Sequence, residues 1–348
     1  MYNNDNDLKK YLNVDFLDWQ KLSGKTILIS GATGLVGRYL VDLIMLANKN
    51  LNINCKVIGL SHSLEKAKKY FNYFSDDLFD YIAQDVSLPI KYEGEIDYIV
   101  HLASNTSPAQ YVTSPIATIT TNVMGSKNLL DLAVNKKSSK FIFVSSFEVY
   151  GSVEDKAKIS ENDFGVIDCT RLRSCYPESK RLSENMCVAY SNEKKINTSI
   201  VRLSRVFGPT MNPDSTLSLS QFINCGLNAT DIVLKSDGKQ NYSYNYVGDA
   251  VTAIIKVLLD GKDCEAYNVS SKKFDCELGA FARYVSNWCK KEVVYDLPDD
   301  VEKKGFSNSV MTILDSSKLE SLGWFTLENI EKKINDTLDI LSDNNEQV

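Results

Sequence analysis

Histidine and long apolar runs are scarce in this chain of 348 residues. The two histidines, His62 and His101, are too few for a zinc site built on histidine, so we expect no metal site. No apolar run approaches the ~18–20 residues that span a bilayer, and the first residues lack the basic-then-apolar pattern of a signal peptide. We therefore expect a cytoplasmic protein with no membrane partner.

Basic residues are also in the minority, with 39 Lys and Arg against 45 Asp and Glu, which gives a net charge of −6. This balance argues against a nucleic-acid partner, because binding to phosphates requires a basic surplus. The eight cysteines include no C-x-x-C pair, so we expect them to be reduced and structural. The length predicts about two domains.

Short apolar runs alternate with helical patterns along the first 207 residues. Strands are predicted at 26–30, 56–60, 81–83, 98–102, 141–144 and 198–202, and helices at 39–46, 64–74, 121–134 and 178–193. Continuous apolar strands between helices predict an α/β fold, a Rossmann-like doubly wound parallel sheet. After Gly208, short strands at 232–234, 267–269 and 293–295 predict a smaller C-terminal α/β substrate lobe.

A glycine motif lies between the first predicted strand and the first predicted helix of the sheet. Glycines at 31, 34 and 37 allow a tight turn and a close approach of the backbone to a pyrophosphate, which the helix N-terminus attracts. The motif therefore predicts a dinucleotide site. Its predicted contacts are Gly31, Thr33, Gly34, Leu35, Val36 and Gly37.

The end of the second strand carries Ser61 and His62, with neither the carboxylate that binds the ribose of NAD nor an arginine for the phosphate of NADP. We predict NAD and leave NADP open. Asp85 is expected to accept a hydrogen bond from the adenine amino group. The remaining predicted cofactor contacts are Val86, Leu102, Ala103, Ser104, Tyr176 and Lys180.

Four parts follow from these patterns. Residues 1–23 form an N-terminal helical extension, and residues 24–207 form the NAD(P)-binding Rossmann domain. Residues 208–341 form a substrate-binding lobe that can exchange segments with that domain, and residues 342–348 form a flexible tail.

A second constellation combines Tyr176 and Lys180 with Ser146 at the end of the fifth strand. Positions i and i+4 of a helix share a face, so the tyrosine hydroxyl and the lysine ammonium point at one site. The ammonium is expected to lower the pKa of Tyr176 from about 10 and to make it a general base. The Ser146 hydroxyl would hold a substrate oxygen in place.

Together with the segments 101–104, 121–122, 144–146 and 202–209, these motifs resemble the extended short-chain dehydrogenase/reductase family, in its nucleotide-sugar epimerase/dehydratase branch. The resemblance covers about residues 24–330. Within the branch, residues 146–151 and 175–184 are most similar to UDP-glucuronate decarboxylases. The family resemblance also implies a homodimer, whose two-fold interface is formed by the helix from Thr121 and the helix that carries Tyr176.

The resemblance also implies a mechanism. Tyr176 takes the proton from a sugar hydroxyl, usually at C4, as a hydride passes to the nicotinamide; Ser146 shares the hydrogen bond, and Lys180 binds the nicotinamide ribose. An epimerase then returns the hydride to the other face of the keto sugar. A 4,6-dehydratase eliminates water with an Asp-Glu pair, whereas a decarboxylase loses CO2 with the help of Glu148 and an arginine of the C-terminal lobe.

Three positions depart from the family pattern. Phe147 stands at the aspartate position of the dehydratases, Tyr242 replaces an arginine that faces the substrate, and Arg205 replaces an asparagine. We hypothesise that Arg205 contacts the substrate diphosphate, for which its fork geometry is suited. The resemblance also places Thr106 and Ser107 beside the sugar, and Phe147 and Tyr242 in the substrate pocket.

These observations predict an NAD(P)-dependent nucleotide-sugar epimerase that acts through a transient 4-keto sugar, with Ser146, Glu148, Tyr176 and Lys180 as catalytic residues. A decarboxylase or a 4,6-dehydratase that uses Glu148 is the alternative, and a simple reductase stays open. A non-catalytic dinucleotide-binding sensor or scaffold is the alternative of another class.

Overall fold

The computed structural model describes residues 5–154, 156–212, 214–296 and 311–346. Its strands are β1 Thr26–Ser30, β2 Lys56–Ser61, β3 Phe79–Ala83, β4 Tyr98–His101, β5 Lys140–Ser146, β6 Thr198–Leu203, β7 Arg205–Phe207, β8 Ile232–Leu234, β9 Asn241–Tyr246, β10 Glu265–Val269, β11 Asp275–Glu277, β12 Val293–Tyr295 and β13 Met311–Thr312.

Its helices are α1 Asp5–Leu12, α2 Leu35–Leu51, α3 Leu64–Tyr70, α4 Pro108–Thr113, α5 Pro115–Lys136, α6 Cys175–Lys194, α7 Ser218–Leu227, α8 Val247–Asp260, α9 Leu278–Cys289, α10 Ser317–Glu320 and α11 Ile330–Glu346. Within the described ranges, none of these helices is both long and apolar enough to cross a lipid bilayer.

Seven parallel strands form the central sheet, in the order β3-β2-β1-β4-β5-β6-β10. Alternate residues of each strand enter two separate cores, so that Ile27 and Ile29 pack on one face and Leu28 on the other. Helices α2 and α8 contact each other, as do α5 and α6. Burial on both faces explains the continuous apolar runs. The predicted doubly wound Rossmann-like fold is confirmed.

Helix boundaries differ most from the predictions. Helix α5 begins at Pro115 rather than at 121, because proline suits the first turn of a helix, where its missing N–H has no partner to lose. Helix α6 begins at Cys175, so Tyr176 and Lys180 share one helix. Helix α3 ends at Tyr70 rather than at 74, and the ring of Phe74 packs on Phe79 of β3.

The C-terminal half contributes to the central sheet as well as to a smaller unit. The strand predicted at 267–269 for the lobe is the edge strand β10, whose Tyr267 pairs with Val201 of β6, and α8 packs against β5 and β6. Strand β9 joins β7, β11 and β13 in a four-stranded sheet, and β8 pairs with β12. Residues 247–269 therefore belong with the parallel sheet.

A buried cluster joins helix α1 to helix α11. The carboxylate of Asp7 accepts hydrogen bonds from the hydroxyls of Tyr39 and Tyr246, at 2.7 and 2.6 Å, and from Lys333 Nζ at 3.1 Å. The side chain of Lys333 is fully buried. Helix α11 continues to Glu346, so residues 342–346 of the predicted tail are helical, and residues 347–348 lie outside the described part.

Candidate functional site

The predicted site residues follow the carboxyl ends of neighbouring strands. The glycine turn follows β1, Ser61 ends β2, Leu102 follows β4 and Ser146 ends β5. In a parallel sheet these ends meet at one edge, where ligands of such folds bind. The sheet order therefore brings the two predicted constellations together.

The glycine turn is a cradle that side chains would fill. Gly31 has a φ of +70°, and a Cβ there would lie 2.8 Å from the backbone nitrogen of Ala103. A Cβ at Gly37 would lie 2.2 Å from the carbonyl oxygen of Gly31. Gly34 is the N-cap of α2, so the N–H groups of the first turn, at Leu35 and Val36, face outward without a capping side chain. These residues fit the pyrophosphate of a dinucleotide.

Hydroxyl groups occupy the place where an acidic residue would hold the ribose of NAD. The hydroxyl of Ser61 lies 2.9 Å from that of Thr33 and also hydrogen-bonds with Tyr81. His62 is exposed. Asp85 is exposed, and its Oδ1 accepts a hydrogen bond from Ser87 N at 2.8 Å. Neutral oxygens at this position can bind the ribose hydroxyls of NAD, and none of them offers a charge to a 2′-phosphate.

His101, at the end of β4, stabilises the backbone beside the glycine turn through Ser30. Its Nδ1 lies 2.7 Å from the hydroxyl of Ser30, which accepts hydrogen bonds from the backbone N–H groups of Leu102 and Ala103, both at 3.1 Å. Burial lowers the pKa of His101 to about 3, so the ring is neutral at pH 7. His101 therefore positions the strand end and carries no charge to the site.

The remaining predicted contacts near this edge are Val86, Ser104, Thr106 and Ser107. Ser104 donates to Asn122 Oδ1 at 2.7 Å, and Asn122 donates to Ser179 of α6 at 2.8 Å, so this chain of contacts ties the β4 end to the tyrosine helix. Val86 is buried against α5, Thr106 is exposed, and the Ser107 hydroxyl lies 3.4 Å from that of Thr216.

Tyr176, Lys180 and Ser146 converge as predicted from their spacing. Lys180 Nζ donates to the carbonyl oxygen of Val144 on β5 at 2.8 Å and lies 5.9 Å from the centre of the Tyr176 ring. Burial lowers the pKa of Lys180 to about 7. The Ser146 hydroxyl accepts a hydrogen bond from Glu148 N at 3.2 Å and also hydrogen-bonds with Tyr176.

The predicted lowering of the Tyr176 pKa is wrong for this structure. Burial raises the pKa well above its ordinary value, and the charge of Glu148 raises it further. Hydrogen bonding to Ser146, the charge of Arg173 and hydrogen bonding to Tyr111 act in the opposite direction but do not outweigh burial. The local spacing of Tyr176 and Lys180 could not show how deeply the hydroxyl is buried.

Two further residues contact this group and were not predicted from the sequence, Arg173 and Tyr111. Arg173 forms a two-pronged ion pair with Glu148, with N–O distances of 3.1 and 3.0 Å. The ring of Tyr111 stacks on that of Tyr176, with centroids 4.7 Å apart and planes 14° apart. The signal for Arg173 was its place three residues before Tyr176. Tyr111, in a loop-borne short helix, gave no signal.

The three residues that depart from the family pattern are neighbours, because Phe147 and Tyr242 both contact the guanidinium of Arg205. The guanidinium carbon of Arg205 lies 4.3 Å from the centre of the Phe147 ring and 3.4 Å from the centre of the Tyr242 ring. Strand pairing explains the arrangement, because Arg205 opens β7 opposite Tyr244 of β9, two residues beyond Tyr242. Burial lowers the pKa of Arg205 from its ordinary value.

The chain is similar in sequence to UDP-glucuronic acid decarboxylases. UDP-glucuronic acid decarboxylase 1 of Xenopus tropicalis is 31% identical over 251 residues, which cover 72% of this chain and 57% of the relative. UDP-glucuronic acid decarboxylase 3 of Arabidopsis thaliana is 34% identical over 245 residues, covering 70% and 69%. The chain spans a little over half the length of several of these relatives.

Solved structures share the fold at low identity. UDP-glucose 4-epimerase of Thermotoga maritima superposes with a TM-score of 0.77 at 21% identity, over 92% of this chain and 99% of that one. UDP-glucuronic acid 4-epimerase of Bacillus cereus gives the same values. Residues 27–270, which include the glycine turn and the tyrosine helix, match the model of the NAD dependent epimerase/dehydratase family, and the chain belongs to this family.

Proposed function

We propose that the chain is an NAD-dependent nucleotide-sugar epimerase that acts through a transient 4-keto sugar. The observation that carries the proposal is the convergence of Ser146, Tyr176 and Lys180 at the sheet edge that also holds the glycine turn. A cofactor cradle beside a hydroxyl pair and an amine is the arrangement that oxidation of a secondary alcohol needs.

Each side chain has a role in this proposal. Tyr176 takes the proton of the sugar hydroxyl, and Ser146 holds the same oxygen in place. Lys180, which bridges β5 and α6 through Val144, positions the ribose beside Tyr176. A dinucleotide held by the glycine turn and Lys180 would supply the hydride acceptor and donor at this site.

The Glu148–Arg173 ion pair favours epimerisation over dehydration. Elimination of water needs an acid and a base beside the keto sugar, but both carboxylate oxygens of Glu148 are engaged by Arg173, and Phe147 carries no proton. Epimerisation requires neither group. A decarboxylase is the second candidate. It is supported by the names of the relatives and by a cation, Arg205, that can receive a carboxylate.

The test is the identity of the product. The protein is incubated with UDP-glucose, UDP-glucuronate and their dTDP counterparts, and the products are read by NMR. A C4 epimer supports the proposal, and a pentose with CO2 supports the second candidate. Absence of any product and of any transient absorbance from reduced nicotinamide refutes both and favours a non-catalytic sensor or scaffold.

The pH dependence of turnover tests the charges around Tyr176. Because the base must be deprotonated, activity rises as the pH increases through its pKa. Arg173→Met removes a charge that lowers the pKa of Tyr176, so the rising limb moves to higher pH. Glu148→Gln removes a charge that raises it, so the limb moves to lower pH. We expect shifts of about 0.5–1 pH unit in pH–rate profiles.

Glu178→Gln is the matched control for these variants, since Glu178 lies on the same helix as Tyr176 but is partly exposed and lies 3.8 Å from Arg181. Its profile should coincide with that of the wild type. If Arg173→Met and Glu148→Gln move the limb in the same direction, or leave it in place, these charges do not act on the base.

We propose that α5 and α6 form the interface of a homodimer. The two helices contact each other and present exposed apolar side chains, among them Ile116, which is 79% exposed, and Leu182. Substitution of both by Asp is expected to convert a dimer to a monomer, because the charges would be buried at the interface. Light scattering measures the mass, with Val233→Asp on β8 as the control. A wild-type mass of a single chain contradicts the proposal.

A further inference from the structure

Phe147, Arg205 and Tyr242 form a unit that we name the aromatic clamp. The guanidinium carbon of Arg205 lies over both rings, 4.3 Å from the centre of Phe147 and 3.4 Å from that of Tyr242. Such stacking holds a cation in one orientation. The N–H donors of a guanidinium lie in its plane, so an anionic ligand would bind along that edge.

That edge has an unused donor. Nη1 of Arg205 is buried and has no hydrogen-bond partner among the described residues. The carboxylate that acts on Arg205 electrostatically, Glu148, is engaged at both oxygens by Arg173. The clamp region thus holds two arginines and one carboxylate, and a buried cation is costly without an anionic partner.

We propose that the aromatic clamp binds an oxyanion of the substrate along the edge of Arg205. The inference rests on the proposed function, which supplies a nucleotide sugar at this site. Phosphate and carboxylate share the chemistry that a guanidinium edge recognises, two oxygens in the plane of its N–H donors. Because Phe147 directly follows Ser146, the clamp borders the part of the pocket where the sugar hydroxyl is oxidised.

The clamp also accounts for the joint change at positions 147, 205 and 242, where this chain departs from the family pattern. An aspartate at position 147 would place a carboxylate beside Arg205 and compete with the ligand. An arginine at position 242 would place a second cation against the first. Phe147 and Tyr242 instead offer ring faces that stabilise the charge without neutralising it.

Binding is measured by calorimetry, which does not depend on turnover. The probes are UDP, UDP-glucose and UDP-glucuronate, with dTDP and dTDP-glucose as alternatives in the base. Arg205→Met keeps an unbranched apolar chain beside the rings and removes the donors, and we expect the Kd to rise at least about tenfold. Arg283→Met, at a largely exposed arginine of α9, is the control and should leave the Kd unchanged.

The three uridine probes separate the two sources of the oxyanion. A rise in Kd for all three places the diphosphate on the clamp, and a rise for UDP-glucuronate alone places the sugar carboxylate there. Either result supports the proposal. Values within about twofold of wild type for all three, in a variant with an unchanged melting temperature, overturn it. A wild-type chain that binds none of the probes refutes the proposed function instead, and the clamp assignment falls with it.

Three further variants keep the test valid if Arg205→Met does not fold. Tyr242→Leu removes a ring face and should raise the Kd about threefold or more, and Tyr242→Phe, which retains the ring, should raise the Kd less. Arg205→Lys keeps the charge but loses the fork, and we expect an intermediate loss. If both Tyr242→Leu and Arg205→Lys bind the probes with the Kd of the wild type, the clamp proposal is contradicted.

Discussion

Replacement of Tyr176 by Phe is expected to reduce turnover about 1000-fold and to leave the Kd of the nucleotide sugar within about threefold of wild type. The substitution removes one hydroxyl group. The ring remains stacked on Tyr111 and buried against its surroundings, so the pocket keeps its shape. Product NMR and the absorbance of reduced nicotinamide measure turnover, and calorimetry measures binding.

Tyr190→Phe is the matched control, because it makes the same change on the same helix. The hydroxyl of Tyr190 donates to Asp131 at 2.6 Å, away from the sheet edge. Its loss should leave turnover unchanged. Wild-type turnover in Tyr176→Phe would sink the assignment of Tyr176 as the base, whereas loss of both turnover and binding would indicate a damaged pocket.

Lys333→Met is expected to reduce the free energy of unfolding by about 3–5 kcal/mol, the cost of leaving a buried charge without its partner. The Lys333 ammonium is fully buried and contacts Asp7, which is 3% exposed. Two tyrosine hydroxyls also donate to Asp7, so the carboxylate is held in place when the lysine is gone. Denaturation in urea, followed by circular dichroism, measures the change.

The neighbouring Lys332 provides the control. It pairs with Asp336 but is half exposed, and Lys332→Met should cost no more than about 0.5 kcal/mol. The double variant Asp7→Asn with Lys333→Met removes both charges and should be more stable than Lys333→Met alone. Equal losses for the two lysines would show that the buried pair contributes nothing beyond a surface ion pair.

Local patterns were sufficient to predict six of the seven strands of the central sheet. Most of these strands are short apolar runs, and the glycine turn and the tyrosine helix are each contained in consecutive residues. The edge strand β10 was assigned to the lobe because 61 residues, 204–264, separate it from β6, its neighbour in the sheet. Periodicity alone does not reveal such a return.

The electrostatics of the site depend on contacts that no local pattern contains. Arg173 meets Glu148 across 25 residues of chain, and burial rather than spacing determines the pKa of Tyr176. Arg205 and Tyr242 were each identified as departures from a family pattern. Their contact with Phe147 depends on the pairing of β7 with β9, which local sequence patterns do not predict.

The contact between Asp7 and Lys333 joins residues 326 positions apart. During synthesis, this contact can form only after most of the chain has been made. Helix α1 leaves the ribosome first, yet its buried carboxylate has no lysine until α11 has been made. The parallel sheet can assemble in the meantime, as domains do during synthesis. The ion pair between Asp7 and Lys333 is therefore a late contact, and in a nascent chain stalled before residue 333 the carboxylate of α1 would be held by Tyr39 and Tyr246 without its counter-charge.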